Sequence, residues 1–168
     1  MSQQLQNVIS RLYKPPIDGT RQVFALSRAD AERLPPLSSI AVISITAPER
    51  PRAELDASMT VLRLSFADVD FMNPALSRRA REKLGQAFTD EHADAIRSFV
   101  AALPAEIASV VVHCEGGYSR SSAVALALHR LYGYSAELKH LSQANQSIVR
   151  VMLGTDSSRA PRKVPSER

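Results

Sequence analysis

One stretch constrains this chain more than any other: Val110 to Leu131, VVVHCEGGYSRSSAVALALHRL. Three valines followed by a histidine read as a buried strand, and the run of Ala, Val and Leu after Ser122 reads as a helix. The link between them is short and carries two glycines, Gly116 and Gly117. Such a loop can curl so that its backbone N–H groups turn inward and form a concave nest for an anion. The start of the following helix adds partial positive charge at the same place. Cys114, the only cysteine, closes the strand, and Arg120 follows six residues later. The pattern describes a cradle for a small oxyanion with a thiol at its floor.

The surroundings decide what the thiol does. Inward N–H groups, the helix dipole and the Arg120 guanidinium all favour thiolate over thiol. Arginine also presents a planar fork that can hold two oxygens of a phosphoryl group, which the point charge of a lysine cannot do. Thiolate and phosphorus would then be aligned for in-line attack.

These residues resemble the signature H-C-x-x-G-x-x-R-[S/T] of the cysteine-dependent protein tyrosine and dual-specificity phosphatases, in particular bacterial-type members. His113, Cys114, Gly117, Arg120 and Ser121 fill every fixed place, while Gly116 stands where most members carry alanine. The resemblance covers roughly residues 40 to 153 and is tight only around Cys114. It implies an α/β fold with a central, mostly parallel sheet flanked by helices. It implies catalytic roles for Cys114 and Arg120, a hydrogen bond from Ser121 to the sulfur, and a His113 that orients the loop from behind. Substrate would lie against Glu115, Gly116, Gly117, Tyr118, Ser119 and Arg120. No metal and no other cofactor is implied, because loop donors and arginine do the work of a cation.

Hydrolysis of a phosphate monoester needs an acid to protonate the departing oxygen, and open α/β sheets gather functional loops beyond their strand ends. The strand expected at Val61 to Phe66 runs out into Asp68 and Asp70. Asp68 is the first candidate, since Phe66, Ala67 and Asp68 resemble the F-x-D of bacterial phosphatases; Asp70 is held in reserve. The segment ANQSIV, residues 144 to 149, resembles the asparagine-bearing segment near the loop of dual-specificity phosphatases, so Asn145 or Gln146 would steady the loop or a water.

The remaining chain reads as one domain, residues 1 to 154, which is ample for a single core. Residues 1 to 21, with Pro15, Pro16 and Gly19, are expected to form an irregular lead-in. Strands are expected at Gln22 to Leu26 and Ile40 to Thr46, and helices at Arg28 to Leu34, around Arg78 to Lys83, and from a Thr89 cap to about Leu103. Two more helices are expected between Ser135 and Leu153. Residues 155 to 168 are polar and expected to be mobile. The formal charge of +4 and pI near 9.6 suit an anionic substrate, but few aromatics stand among the basic residues, so nucleic-acid binding is not expected. No apolar run approaches membrane length and no leader pattern is present, so no membrane partner is expected and the cytoplasm is the default location.

The function expected is therefore hydrolysis of phosphate monoesters, on phosphotyrosyl or dual-specificity protein substrates, through a phosphocysteine. Two alternatives stay open: a small phosphorylated metabolite as substrate, or a phosphate-binding module without catalysis. Arsenate reduction would require further cysteines, and a sulfurtransferase loop fits the HCxxGxxR pattern less well. Glu115 is expected to face the substrate and disfavour additional negative charge there, with Tyr118 offering its ring at the mouth.

Overall fold

The computed structural model describes residues 2–154. Four strands, β1 (Gln22–Ser27), β2 (Ile40–Thr46), β3 (Thr60–Ser65) and β4 (Ser109–Cys114), form a sheet in the order β1-β4-β2-β3. All three pairings are parallel. β2 and β4 are central, and every residue in them is buried, which is why they read as mostly apolar runs with no polar-apolar alternation.

Successive side chains leave a strand on opposite faces, so the sheet feeds two cores. Val23, Ala25, Ile43, Ile45, Val110 and Val112 belong to one, together with α4 (Asp90–Ala101), α5 (Arg120–Tyr132) and α6 (Gln146–Leu153). Phe24, Leu26, Ile40, Val42 and Val111 belong to the other. That second face corrects the expected irregular lead-in. Gln3–Leu12 is a helix, α1, and it buries Leu5, Val8 and Leu12 against the sheet. The spacing is helical, the Ser2 side chain accepts from the Leu5 N–H at 3.0 Å, and the prolines fall beyond the C-cap at Tyr13, where they break nothing. Burial of three such side chains is worth about 1.5–3 kcal/mol each, far more than the local propensity signal that the prolines dominate.

Other elements are shorter than expected. α2 covers Arg28–Ala31, with Ser27 Oγ accepting from the Asp30 N–H, and α3 covers Arg78–Glu82. α4 stops at Ala101, and the first of the two helices expected after Ser135 is only a 3₁₀ turn at Leu138–Leu141. Residues 155–168, expected to be mobile, lie outside the described residues. Among the described residues no helix is long and apolar enough to cross a membrane.

The parallel arrangement has one direct consequence for the site. All four strands end at the same edge, so the segments after Ser27, Thr46, Ser65 and Cys114 converge there.

Candidate active site

Cys114 ends β4 and is 3% exposed. Its Sγ accepts from the Gly117 N–H at 3.2 Å and lies 3.2 Å from Ser121 Oγ. Gly117 has φ +82, and a Cβ there would meet Ser27 N at 2.5 Å and Leu26 C at 2.7 Å. Only glycine lets the loop turn its N–H to the sulfur while passing this close to the end of β1. The loop is tied to the same place by the Arg28 N–H, which donates to Glu115 O at 3.1 Å.

His113 is 0% exposed and lies opposite Ser44 in the β2–β4 register. Its Nδ1 is 3.2 Å from Cys114 O, which can only accept, so Nδ1 carries the hydrogen. Nε2 then accepts from the Ser44 hydroxyl at 2.6 Å. Burial pushes the histidine pKa below its ordinary value, in keeping with a neutral ring. The ring thereby fixes the peptide that follows the cysteine.

Arg120 opens α5 and is 7% exposed. One terminal amine donates to Phe66 O at 3.0 Å, and its Nε has no hydrogen-bond partner among the described residues. No carboxylate among them forms an ion pair with it. A buried guanidinium held by one neutral carbonyl is costly to maintain and is stabilised by an anion. The carbonyl that holds it is itself braced: the Phe66 ring packs edge-on against Phe88 at 5.0 Å and beside His92 at 5.1 Å. His92 caps α4, its Nδ1 accepting from the Thr89 N–H at 3.0 Å, and burial lowers its pKa.

Asp68 stands exposed beyond β3. Its Oδ1 accepts from Ser119 Oγ at 2.9 Å and from the Asn145 side-chain amide at 3.0 Å. Ser119 is the N-cap residue of α5 but makes no side-chain cap, because its hydroxyl is turned to the aspartate. Asp70 is placed differently: its carboxylate accepts from Ser147 Oγ, and that same oxygen accepts from the Met72 N–H at 2.9 Å. Gln146 is exposed and its amide returns to Ala144 O at 3.1 Å, so of the two amides only Asn145 reaches the segment of Asp68 and Val69.

A cleft of about 370 Å³ opens between these loops, bordered by Arg120, Asp68, Glu115, Arg50 and Lys83 among others. Glu115 does not stand as a free negative charge toward it. Its two carboxylate oxygens are taken by Arg28 at 3.1 Å and Arg50 at 3.4 Å, which corrects the expectation that it repels further anions. Tyr118 is exposed and, with Gly116 and Gly117, borders a separate groove shared with Ser2 and Asp30. It therefore does not offer its ring to the cleft that Arg120 borders. Among the described residues no cluster of His, Cys, Asp or Glu is arranged to hold a metal ion.

No protein-family model matches the sequence, and no curated protein does. Similar solved structures include human DUSP28, 18% identical with a TM-score of 0.42, where the match covers 86% of this chain and 98% of that one. PTPMT1 is 17% identical with a TM-score of 0.44, over 85% of this chain and 96% of that one. What the site can do follows from its own geometry.

Several residues that shape the site are silent in the sequence. Ser44 is the one polar residue before the terminal threonine of IAVISIT, a visible signal once the β2–β4 register is known. Arg28 and Arg50 carry no local signal, because their partner Glu115 lies 87 and 65 positions away.

Proposed function

We propose that the protein is a phosphatase that hydrolyses phosphate monoesters through a covalent phosphocysteine at Cys114, with phosphotyrosyl or dual-specificity protein substrates as its class. The observation that carries this reading is Arg120: a buried guanidinium, six residues from the thiol, whose Nε has no hydrogen-bond partner and which pairs with no carboxylate among the described residues. A phosphoryl group would satisfy both its charge and its free donor. The first N–H groups of α5, uncapped by any side chain, and the N–H groups of the loop add to the same cradle.

In the first step Cys114 Sγ attacks phosphorus, and the bond from phosphorus to the ester oxygen breaks. Asp68 gives its proton to that oxygen, so the alcohol or phenol leaves neutral. Both hydrogen bonds to Asp68 fall on Oδ1, which leaves Oδ2 to carry the proton. In the second step Asp68, now a carboxylate, takes a proton from water, and the water oxygen attacks phosphorus. The P–S bond breaks, inorganic phosphate forms and the thiolate returns. Gly117 N–H and the Ser121 hydroxyl support the sulfur as it regains charge.

Rapid mixing with p-nitrophenyl phosphate tests this reading. A stoichiometric burst of nitrophenol with phosphate trapped on Cys114 by acid quench is the expected result. Loss of all turnover in Cys114→Ser is expected with it. Undiminished turnover in that variant would end the proposal.

A further inference from the structure

The loop after β2, residues 47 to 59, has no helix or strand, yet its backbone is gripped at several points. Arg28, only 13% exposed in its side chain, donates to Pro51 O at 2.8 Å and to Arg52 O at 2.8 Å. Glu32, one turn on, pairs with Arg28 at 3.4 Å and accepts from the Glu54 N–H at 2.8 Å. Arg63 holds Ala53 O at 3.1 Å. The same Arg28 guanidinium reaches Glu115 in the phosphate loop, and Glu115 in turn holds Arg50. A chain of charge thus runs from a partly buried arginine, through a carboxylate, to a second arginine whose side chain is 53% exposed at the cleft.

Glu32 and Glu115 together offset Arg28 and Arg50, and Arg50 is the member of this balanced network that solvent and substrate can reach. Around the cleft itself Arg50, Lys83 and Arg120 oppose Glu49 and Glu115 while Asp68 carries the proton it is to donate. A flexible surface arginine loses side-chain entropy when it binds an anion; one already tethered loses less. Arg50 is tethered.

Resting on the phosphatase reading, we infer that Arg50 is a specificity-determining residue that recognises a second anionic group on the leaving-group side of the substrate. Arg28 is its positioning residue, acting through Glu115. The chemistry is that of a carboxylate or second phosphate attached to the alcohol or phenol, carried by a small molecule or by an acidic peptide.

Matched substrates with the same leaving phenol test the inference and separate the two sources. N-acetylphosphotyrosine is compared with its carboxamide, and a phosphotyrosyl peptide with flanking Glu with its Gln counterpart. The anionic member of at least one pair is expected to have a kcat/KM about fivefold higher, the upper end for a partly exposed ion pair. The pair that shows it names the source. The ratio should fall with added salt and collapse toward one in Arg50→Ala. Arg28→Ala should collapse it too, whereas a merely structural role would lower both members of a pair equally. A ratio of one in the wild type, a ratio preserved in Arg50→Ala, or one lost in Lys83→Ala instead would overturn the inference while p-nitrophenyl phosphate turnover keeps the phosphatase reading intact. No turnover of any of these substrates would remove both.

Discussion

Asn145 donates its side-chain amide to Oδ1 of Asp68 at 3.0 Å across 77 positions of sequence, and the same amide nitrogen donates to Val69 O at 3.0 Å. Its own oxygen caps α6 by accepting from the Ile148 N–H at 3.2 Å, and its backbone N–H donates to Ser119 O at 3.1 Å. One residue thus joins a helix start, the segment of Asp68 after β3 and the loop after β4. Asn145→Ala should lower kcat about tenfold with little change in KM, since it frees the acid without touching the cradle. It also removes a cap worth about 1 kcal/mol. Asn145→Asp keeps the cap but sets a like charge beside Asp68, so kcat should still fall while stability recovers. Steady-state kinetics with urea unfolding separates the two; full activity in both variants would sink the positioning role.

Asp68 and Asp70 differ in what their carboxylates hold. Asp68 borders the cleft with Arg120, whereas Asp70 grips Ser147 and through it the Met72 N–H. Asp68→Ala should lower kcat by roughly 10²- to 10⁴-fold, the range for a lost general acid. Asp70→Ala should leave kcat within about threefold and lower thermal stability instead, as loss of a loop hydrogen bond costs about 1 kcal/mol. The reverse pattern, an active Asp68→Ala beside a dead Asp70→Ala, would transfer the acid role.

Gly116 and Gly117 are adjacent but unequal. A Cβ at Gly116 would approach only a Tyr118 ring carbon at 3.2 Å, and an exposed ring can move aside. At Gly117 the clash is with the backbone of Leu26 and Ser27, and φ is +82. Gly116→Ala should therefore be close to wild type in activity and stability. Gly117→Ala should destabilise by more than about 2 kcal/mol and shift the backbone N–H away from Cys114 Sγ. Comparable unfolding midpoints for the two variants would contradict this.

How much of this was legible in the sequence depends on whether the cause was local. β2 was readable to the residue, because IAVISIT has no competing signal, and the loop after β4 was readable because its glycines, cysteine and arginine lie within one short span. α1 is masked although Leu5, Val8 and Leu12 are helically spaced, because Pro15 and Pro16 signal a break that comes only after the helix has ended. The partners of Glu115 were hidden for a different reason. Its loop position implies a free negative charge at the cleft, but two arginines from the segments after β1 and β2 arrive at the same sheet edge and pair with it. Convergence of parallel strands is a property of topology, and no window of sequence contains it.

The pair of His113 and Ser44 makes stability depend on pH. His113 is fully buried and neutral, and burial lowers its pKa from 6.5; His92 shifts the same way for the same reason. The folded state thus refuses a proton that the unfolded chain accepts. Stability is complete above the unfolded value of 6.5 and is lost as pH falls from there toward the lowered folded values. Protonation of His113 would also set an N–H against Ser44, forcing the hydroxyl to turn from donor to acceptor. His92→Gln keeps a residue suited to the capping position while removing its titration, so its share of the slope is gone. Ser44→Ala takes away the donor that favours the neutral ring, which should raise the folded pKa and flatten that slope. Urea unfolding of His92→Gln from pH 8 to 5 should show stability flat down to about 6.5 and falling below it. A curve flat to pH 5 would mean that His113 gains its proton as readily folded as unfolded, and the buried Ser44–His113 bond would then have no hold on the peptide behind Cys114.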